Sequence, residues 1–228
     1  MTHSNGPTRD LELSLCAKWG TVIGIDEVGR GALAGPLAVG VALVDAHCGQ
    51  APPRLADSKL LSATTRTALA PRVANWVCDS AVGWASAEEI DRWGITCALR
   101  LAARRGIAEI EAHGHTLGGV LLDGSHNWLT TPNDLLSALD GPTLPGSEAL
   151  DVLPVVTQVK GDRSCAVVAA ASILAKVARD DYMATLPDPG YAWASNKGYA
   201  SAAHISALRE MGPSQWHRRS WKLPGVDR

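Results

Sequence analysis

With 228 residues, 46% of them apolar, and a formal net charge of −2, the chain has material for one substantial core and no global attraction for polyanions. No run of about 18 apolar residues occurs, which excludes a transmembrane helix, and Met1–Gly20 lacks the basic-then-apolar layout of a signal peptide. Five cysteines, an odd number without a CxxC pair, argue against a disulfide framework or a zinc site and point to reduced thiols in a cytoplasm.

In chain order, Thr21–Ile25 and Pro36–Val44 are apolar, β-favouring runs around a glycine-rich loop, which predicts two strands paired as a hairpin. Trp76–Ala85 reads as a third strand. Ser86-Ala-Glu-Glu89 carries the S-x-x-E capping pattern and predicts a helix start, and Ile95–His113 has the three-and-four spacing of an amphipathic helix. Gly118–Leu122 is a short apolar run ending at Asp123-Gly124. Residues 125–150 are rich in Pro, Ser, Gly and Asn and read as a loop excursion. Val152–Val159 is a further strand, Val167–Met183 the strongest helix, and Ser201–Met211 a last helix closed by Gly212-Pro213. The first two strands are joined too closely for a crossover, so the pattern predicts a mixed sheet flanked by helices.

Three acidic positions interrupt or follow these strands: Asp26 with Glu27, Asp123, and Asp162. Clustered carboxylates repel one another and must be solvated or share a cation, and an all-oxygen set suits Mg²⁺ or Mn²⁺. Adjacent side chains on a regular strand face opposite ways, so Asp26 and Glu27 can face one ion only if the strand ends or bulges there. Gly29 and Gly31 make an ending plausible. Each acid taken alone reads more simply as a turn residue.

Gly29-Arg30-Gly31-Ala-Leu-Ala-Gly35 is not a dinucleotide-binding loop: it lacks the G-x-G-x-x-G pattern, and Pro36 and a strand follow it in place of a helix. It reads as bare backbone open to a ligand, with Arg30 available to a phosphate, or else as a glycine-rich hairpin turn. Ser172, Lys176 and Asp180 share one helix face, with Ile173, Leu174 and Val177 on a stripe that packs on the sheet; a solvated Lys–Asp pair is the commoner meaning of such spacing. Trp76, Trp84, Trp93 and Trp128 read as core or near-core residues in a chain without phenylalanine. From Asn196 onward, six basic residues face two acidic ones, with Trp216 and Trp221 among them. That segment can draw phosphates, or it is a solvated basic tail.

Taken together, Gly24-Ile-Asp-Glu-Val-Gly-Arg-Gly-Ala-Leu-Ala-Gly-Pro36, Asp57-Ser-Lys59, Ala87-Glu-Glu-Ile-Asp91, Leu121-Leu-Asp-Gly124, Lys160-Gly-Asp162, Ala170–Asp180 and Lys197-Gly-Tyr-Ala200 resemble the ribonuclease HII family, in the family's order. The resemblance implies a ribonuclease H-like α/β fold with a helical C-terminal extension: residues 1–19 as an N-terminal extension, 20–186 as the catalytic domain and 187–228 as a substrate-binding extension. It implies an endoribonuclease acting on RNA–DNA hybrids and 5′ of single ribonucleotides in duplex DNA, with two divalent ions, Mg²⁺ or Mn²⁺. The family's metal site falls on Asp26, Glu27, Asp123 and Asp162. Its loop for reading the 2′-hydroxyl falls on Gly29, Arg30 and Gly31, and its junction-sensing tyrosine on Tyr199. Lys176 and Asp180 are left without a role. A cytoplasmic monomer without membrane attachment is expected. Arg163-Ser-Cys-Ala-Val167 and Ser220-Trp-Lys222 depart from the family's usual residues, which bears on substrate contacts. Two other readings are a non-catalytic nucleic-acid-binding module, against which all four carboxylates stand, and a two-carboxylate glycosidase, which would need no metal.

Overall fold

Strand β1 (Thr21–Val28) is apolar on both faces for most of its length, as befits a strand covered on two sides. The computed structural model describes residues 6–130 and 145–226 and places β1 at the centre of a five-stranded sheet. Its partners are β2 (Leu37–Asp45), β3 (Asp79–Ala85), β4 (Val120–Asp123) and β5 (Val155–Gln158), in the order β3-β2-β1-β4-β5. β1–β2 and β2–β3 are antiparallel, whereas β1–β4 and β4–β5 are parallel, so the predicted hairpin and mixed sheet are both present.

The helices are α1 (Asp10–Trp19), α2 (Ala63–Ala74), α3 (Ala87–Ala112), α4 (Gly161–Ser164), α5 (Ala166–Thr185), α6 (Trp193–Asn196) and α7 (Ala202–Met211). α3 covers the sheet face that carries Ile23, Ile25, Val39 and Val41. α5, with α1 and α2, covers the face that carries Val22, Ala42 and Val44. α3 starts on the predicted capping box: Ser86 Oγ accepts from Glu89 N at 3.1 Å, and Glu89 Oε2 accepts from Ser86 N at 2.8 Å. Gly94, at φ 75 and ψ 164, kinks α3 where the sequence separates two helices.

α1 and α2 go unpredicted, because their apolar positions are few and become meaningful only against the sheet. Leu15 and Cys16 of α1 enter the core, and buried Glu12 accepts from Val167 N at 2.7 Å, capping the N-terminus of α5 from a distant helix. The stripe of α5 that meets the sheet is Val167, Ala171 and Ala175, set against Gly24 and Gly40. Leu174 and Val177, expected on that stripe, are only partly buried. A Cβ on Gly40 would lie 2.1 Å from the Ala171 carbonyl oxygen, so glycine there sets how closely α5 approaches. Of the tryptophans singled out, Trp128 is buried, Trp76 and Trp93 pack partly buried on the two large clusters, and Trp84 lies against Tyr182; the fully buried one is Trp193.

Three strand boundaries differ from expectation by three residues, and β3 starts at Asp79, not at Trp76, because residues 75–78 form the turn that leads into it. β1 does not end at Ile25 but runs three residues further, with Asp26 opposite Gly40, Glu27 opposite Val39 and Val28 opposite Ala38. β5 is shorter than Val152–Val159, because a 3₁₀ turn at Ala149–Asp151 occupies its approach and Lys160, at φ 56, ends it. The loop excursion at 125–150 falls largely in residues 131–144, outside the described residues.

A third apolar cluster joins Leu33 and Ala34 of the glycine-rich loop to Met183, Tyr191, Trp193, Ala207, Leu208 and Leu223. The C-terminal segment is thereby packed onto the loop.

Candidate active site

Because β1 continues past Ile25 without a bulge, Asp26 and Glu27 point to opposite faces of the sheet. Asp26 shares its face with Gly24 and Gly40 and lies under α5, 2% exposed. Parallel pairing sets Ile25 beside Leu122, so Asp123 comes level with Asp26, and the alternation along β4 turns it to the same side. Asp162 is carried by α4, a turn after β5, and not by a strand end. Asp123 Oδ1 accepts from Gly161 N at 2.7 Å and so ties that turn to β4.

The carboxylates act on one another. Burial pushes Asp26 up to about 8; the Ser172 hydroxyl opposes this, Glu27 and Asp123 add to it, and Lys59 counters. Glu27 is raised by burial against the pull of Arg30, with Asp123 adding to the rise. Asp162 is raised by burial, then by Asp123 and Asp57, with Lys59 opposing. Asp123 is therefore the electrostatic hub of the four. Among the described residues no three of these carboxylates close to within 4.8 Å of one another.

The residues present fit a hard divalent cation. All the donors are oxygens, and Asp26 Oδ2 is buried without a hydrogen-bond partner, while Oδ1 accepts from Glu27 N at 2.9 Å. Lys59, whose Nζ lies 3.5 Å from Asp162 Oδ2, sets a positive charge beside the carboxylates. Burial disfavours its charge, but Asp26, Asp162 and Asp57 outweigh that and raise it.

Lys59 and Ser172 are site neighbours to which the sequence reading gave no role. Asp57 accepts from Lys59 N at 2.8 Å and from Arg163 Nε at 3.1 Å, and Ser58 Oγ lies 2.8 Å from Ser172 Oγ. Asp57-Ser-Lys59 is a visible motif, but its partners lie over a hundred positions away, so only the fold reveals them. Lys176 and Asp180 do form an ion pair, joined by Arg66 at 3.4 Å, and leave Ser172 to the carboxylate side.

The glycine-rich loop is held from below by two buried arginines. Arg218 donates to the carbonyls of Gly29 (2.6 Å), Arg30 (2.7 Å) and Gly35 (3.2 Å). Arg179 donates to Pro36 O at 2.8 Å and to Lys197 O at 2.9 Å. Arg218 was expected among the phosphate-attracting residues of the basic segment; it is fully buried, and the loop carbonyls consume its donors. Arg219 and Lys222 remain exposed. Gly29, at φ +82, would place a Cβ 2.0 Å from Arg179 Nε, whereas a Cβ on Gly31 meets nothing within 4 Å. Arg30 bonds Glu27 Oε1 at 3.3 Å, and the Tyr199 hydroxyl accepts from Gly29 N at 3.1 Å. The loop thus touches Tyr199 on one side and Glu27 on the other.

The family model for ribonuclease HII matches residues 23–224. The chain belongs to the ribonuclease HII family. With that it is an endoribonuclease, a hydrolase of a family that acts on RNA–DNA hybrids and depends on divalent metal. A ribonuclease HII of Streptomyces avermitilis is 42% identical, over 94% of this chain and 83% of that protein. One of Paracoccus denitrificans is 44% identical, over 88% and 84%. In fold, the chain is similar to the ribonuclease HII in a PCNA complex from Archaeoglobus fulgidus, with a TM-score of 0.60 at 24% identity over 88% of this chain and 93% of that one. It is also similar to ribonuclease H2 of Pyrococcus horikoshii, with a TM-score of 0.57 at 23% identity over 90% and 95%. Among the described residues no helix is long and apolar enough to cross a membrane.

Proposed function

We propose that this member of the family cuts RNA–DNA hybrids and incises duplex DNA on the 5′ side of a single embedded ribonucleotide, leaving a 3′-hydroxyl and a 5′-phosphate. Residues 20–186 would carry the chemistry and 187–228 would serve as the substrate-binding extension. The observation that carries this reading is Asp26: a carboxylate 2% exposed, with an unpartnered oxygen, level with Asp123 and beside a glycine loop.

Asp26, Asp123 and Asp162, with Glu27 reaching round from the other face where β1 ends at Val28, would hold two divalent ions, Mg²⁺ or Mn²⁺, which supply an activated water and stabilise the leaving oxygen. Lys59, beside Asp162, is exposed enough to swing toward a phosphate. The backbone of Gly29–Gly31 would read the 2′-hydroxyl, a group free to be read because it is not the nucleophile. The open space at Gly31 is where a ribose can approach. Tyr199 would stack on the next sugar; its ring already has the Arg179 guanidinium 5.5 Å from its centroid.

The test is a duplex carrying one ribonucleotide, with and without Mg²⁺ or Mn²⁺ and with both termini mapped. Cleavage that persists in EDTA, or that falls 3′ of the ribose, sinks the reading. Tyr199→Ala is expected to slow the single-ribonucleotide reaction more than cleavage of a long hybrid, since stacking is worth about 1–3 kcal/mol. Equal losses would leave Tyr199 as a packing residue.

A further inference from the structure

At the opposite end of β2 from the carboxylates, the chain brings together three donors that its sequence separates. Cys48 Sγ and Cys78 Sγ lie 3.2 Å apart, and these two sulfurs and an Asp45 carboxylate oxygen all fall within 4.8 Å of one another. Asp45 closes β2, Cys48 sits on the turn after it, and Cys78 immediately precedes β3, where its N–H donates to Leu43 O at 2.8 Å. No CxxC spacing exists to announce such a set; antiparallel pairing of β2 with β3 makes it.

We propose that Asp45, Cys48 and Cys78 form a binding site for a thiophilic divalent cation of the Zn²⁺ class. The donor set of two sulfurs and one carboxylate is that of zinc, not of magnesium. His47 is exposed on the same turn, between Asp45 and Cys48. Binding releases both thiol protons to solvent.

Two features favour a cation over a simple disulfide. The carboxylate has a place in a metal site and none in a disulfide. The turn is also built in advance: Asp45 Oδ1 accepts from His47 N at 2.8 Å and Cys48 N at 2.9 Å, leaving Oδ2 for a further partner. Arg9 donates to Asp45 O at 2.6 Å and to Gly49 O at 2.8 Å, and Trp76 Nε1 donates to Gly49 O at 3.1 Å, so the segment is pinned from outside. The sulfurs need to part by only about half an ångström to reach the separation of two thiolates on one tetrahedral ion, roughly 3.8 Å at metal–sulfur bonds of about 2.3 Å.

The site is independent of the carboxylates. Gly40, opposite Asp26, lies five residues along β2 from Asp45, a span of about 17 Å. The experiment is titration of the reduced full chain with Co²⁺, read by the ultraviolet thiolate-to-cobalt charge-transfer band, with Zn²⁺ added afterwards. Co²⁺ held by carboxylates alone gives no such band, so the two sites are distinguishable. The expected result is one equivalent per chain, displaced by Zn²⁺, with the band lost in Cys48→Ser and in Cys78→Ser. Asp45→Asn, which keeps the turn's acceptor, should weaken Co²⁺ binding by at least about tenfold. Mg²⁺-dependent hybrid cleavage should be unchanged in all three variants. Absence of the band from the reduced protein overturns the proposal, and so does binding that Asp45→Asn leaves intact.

Discussion

Asp26 carries two demands that pull in opposite directions. Its carboxylate has to be ionised to hold a cation, yet burial beneath α5, with Glu27 and Asp123 near, raises it to about 8. A folded value above the unfolded one of 3.8 means that protonated Asp26 stabilises the fold at low pH and that this contribution is lost as pH rises through 8. In EDTA at pH 8, Asp26→Asn should therefore be more stable than the parent, by on the order of 1–4 kcal/mol in urea unfolding. The same substitution, and Asp123→Asn, should lower hybrid cleavage by on the order of a hundredfold or more while hybrid binding survives. Rates within a few-fold of the parent would remove the residue from the site. The glycines of the loop separate in the same way. Gly29→Ala meets both a positive φ and Arg179 Nε, and should cost about 1–3 kcal/mol of stability. Gly31→Ala meets no protein atom, and its stability should stay within about 0.5 kcal/mol of the parent while single-ribonucleotide cleavage falls. If Gly31→Ala cleaves normally, the loop does not read the ribose.

At the scale of elements, the basic C-terminal segment divides into two kinds of arginine. Arg218 is a strut: it is fully buried, and burial with Arg179 beside it lowers its guanidinium to about 9, still charged at neutral pH. Its hydrogen bonds fix the carbonyls of Gly29, Arg30 and Gly35, and Trp221 lies against it at 4.8 Å. Charge-assisted bonds of this kind contribute about 1.5–3 kcal/mol each, so Arg218→Met should destabilise the fold by several kcal/mol and loosen the loop. Arg219 and Lys222 are exposed, and replacing both by Ser should leave the melting temperature alone. It should also flatten the salt dependence of hybrid binding, by roughly one unit of slope for each phosphate no longer neutralised. An unchanged slope would make the pair a solvated surface.

Across the whole molecule, the C-terminal cluster is locked by a chain of imidazoles. Ser214 N donates to His217 Nδ1 at 2.9 Å, which assigns the His217 proton to Nε2. That proton meets His204 Nε2 at 2.9 Å, so His204 holds its own on Nδ1 and donates it to Tyr199 O at 2.9 Å. Both rings must stay neutral for the chain to persist. Burial and then His204 lower His217 from 6.5 to about 4, and burial lowers His204 as well. Between those values the unfolded chain binds more protons than the folded one, so this stability is present above pH 6.5 and is lost as pH falls toward 4. From pH 7 to 5 the His217 share is about 2 kcal/mol. His217→Gln should remove it, giving a flatter stability curve than the parent over that interval. Superimposable pH slopes would mean that the rings are not neutral partners in the native state.

The central hairpin, the capped helix at Ser86, the long helix α5 and the four acidic positions are legible in the chain alone. Each rests on local chemistry: strand-forming runs, a capping side chain, three-and-four spacing, or a carboxylate set against apolar neighbours. The chain also carries the family, through motifs that extend from Gly24 to Ala200. Long-range packing settles the rest. β1 runs through Asp26 and Glu27 because β2 offers Gly40 and Val39 to pair with them, which no reading of β1 alone contains. Arg218 became a strut and not a phosphate ligand because the loop's carbonyls turn toward it across 180-odd residues. Cys48 meets Cys78, and Lys59 meets Asp162, only once β2, β3 and α4 are in place. Spacing along a chain reports the period of its own helix or strand. What two distant side chains do to each other depends on burial and Coulomb energy, and these exist only after the sheet has closed.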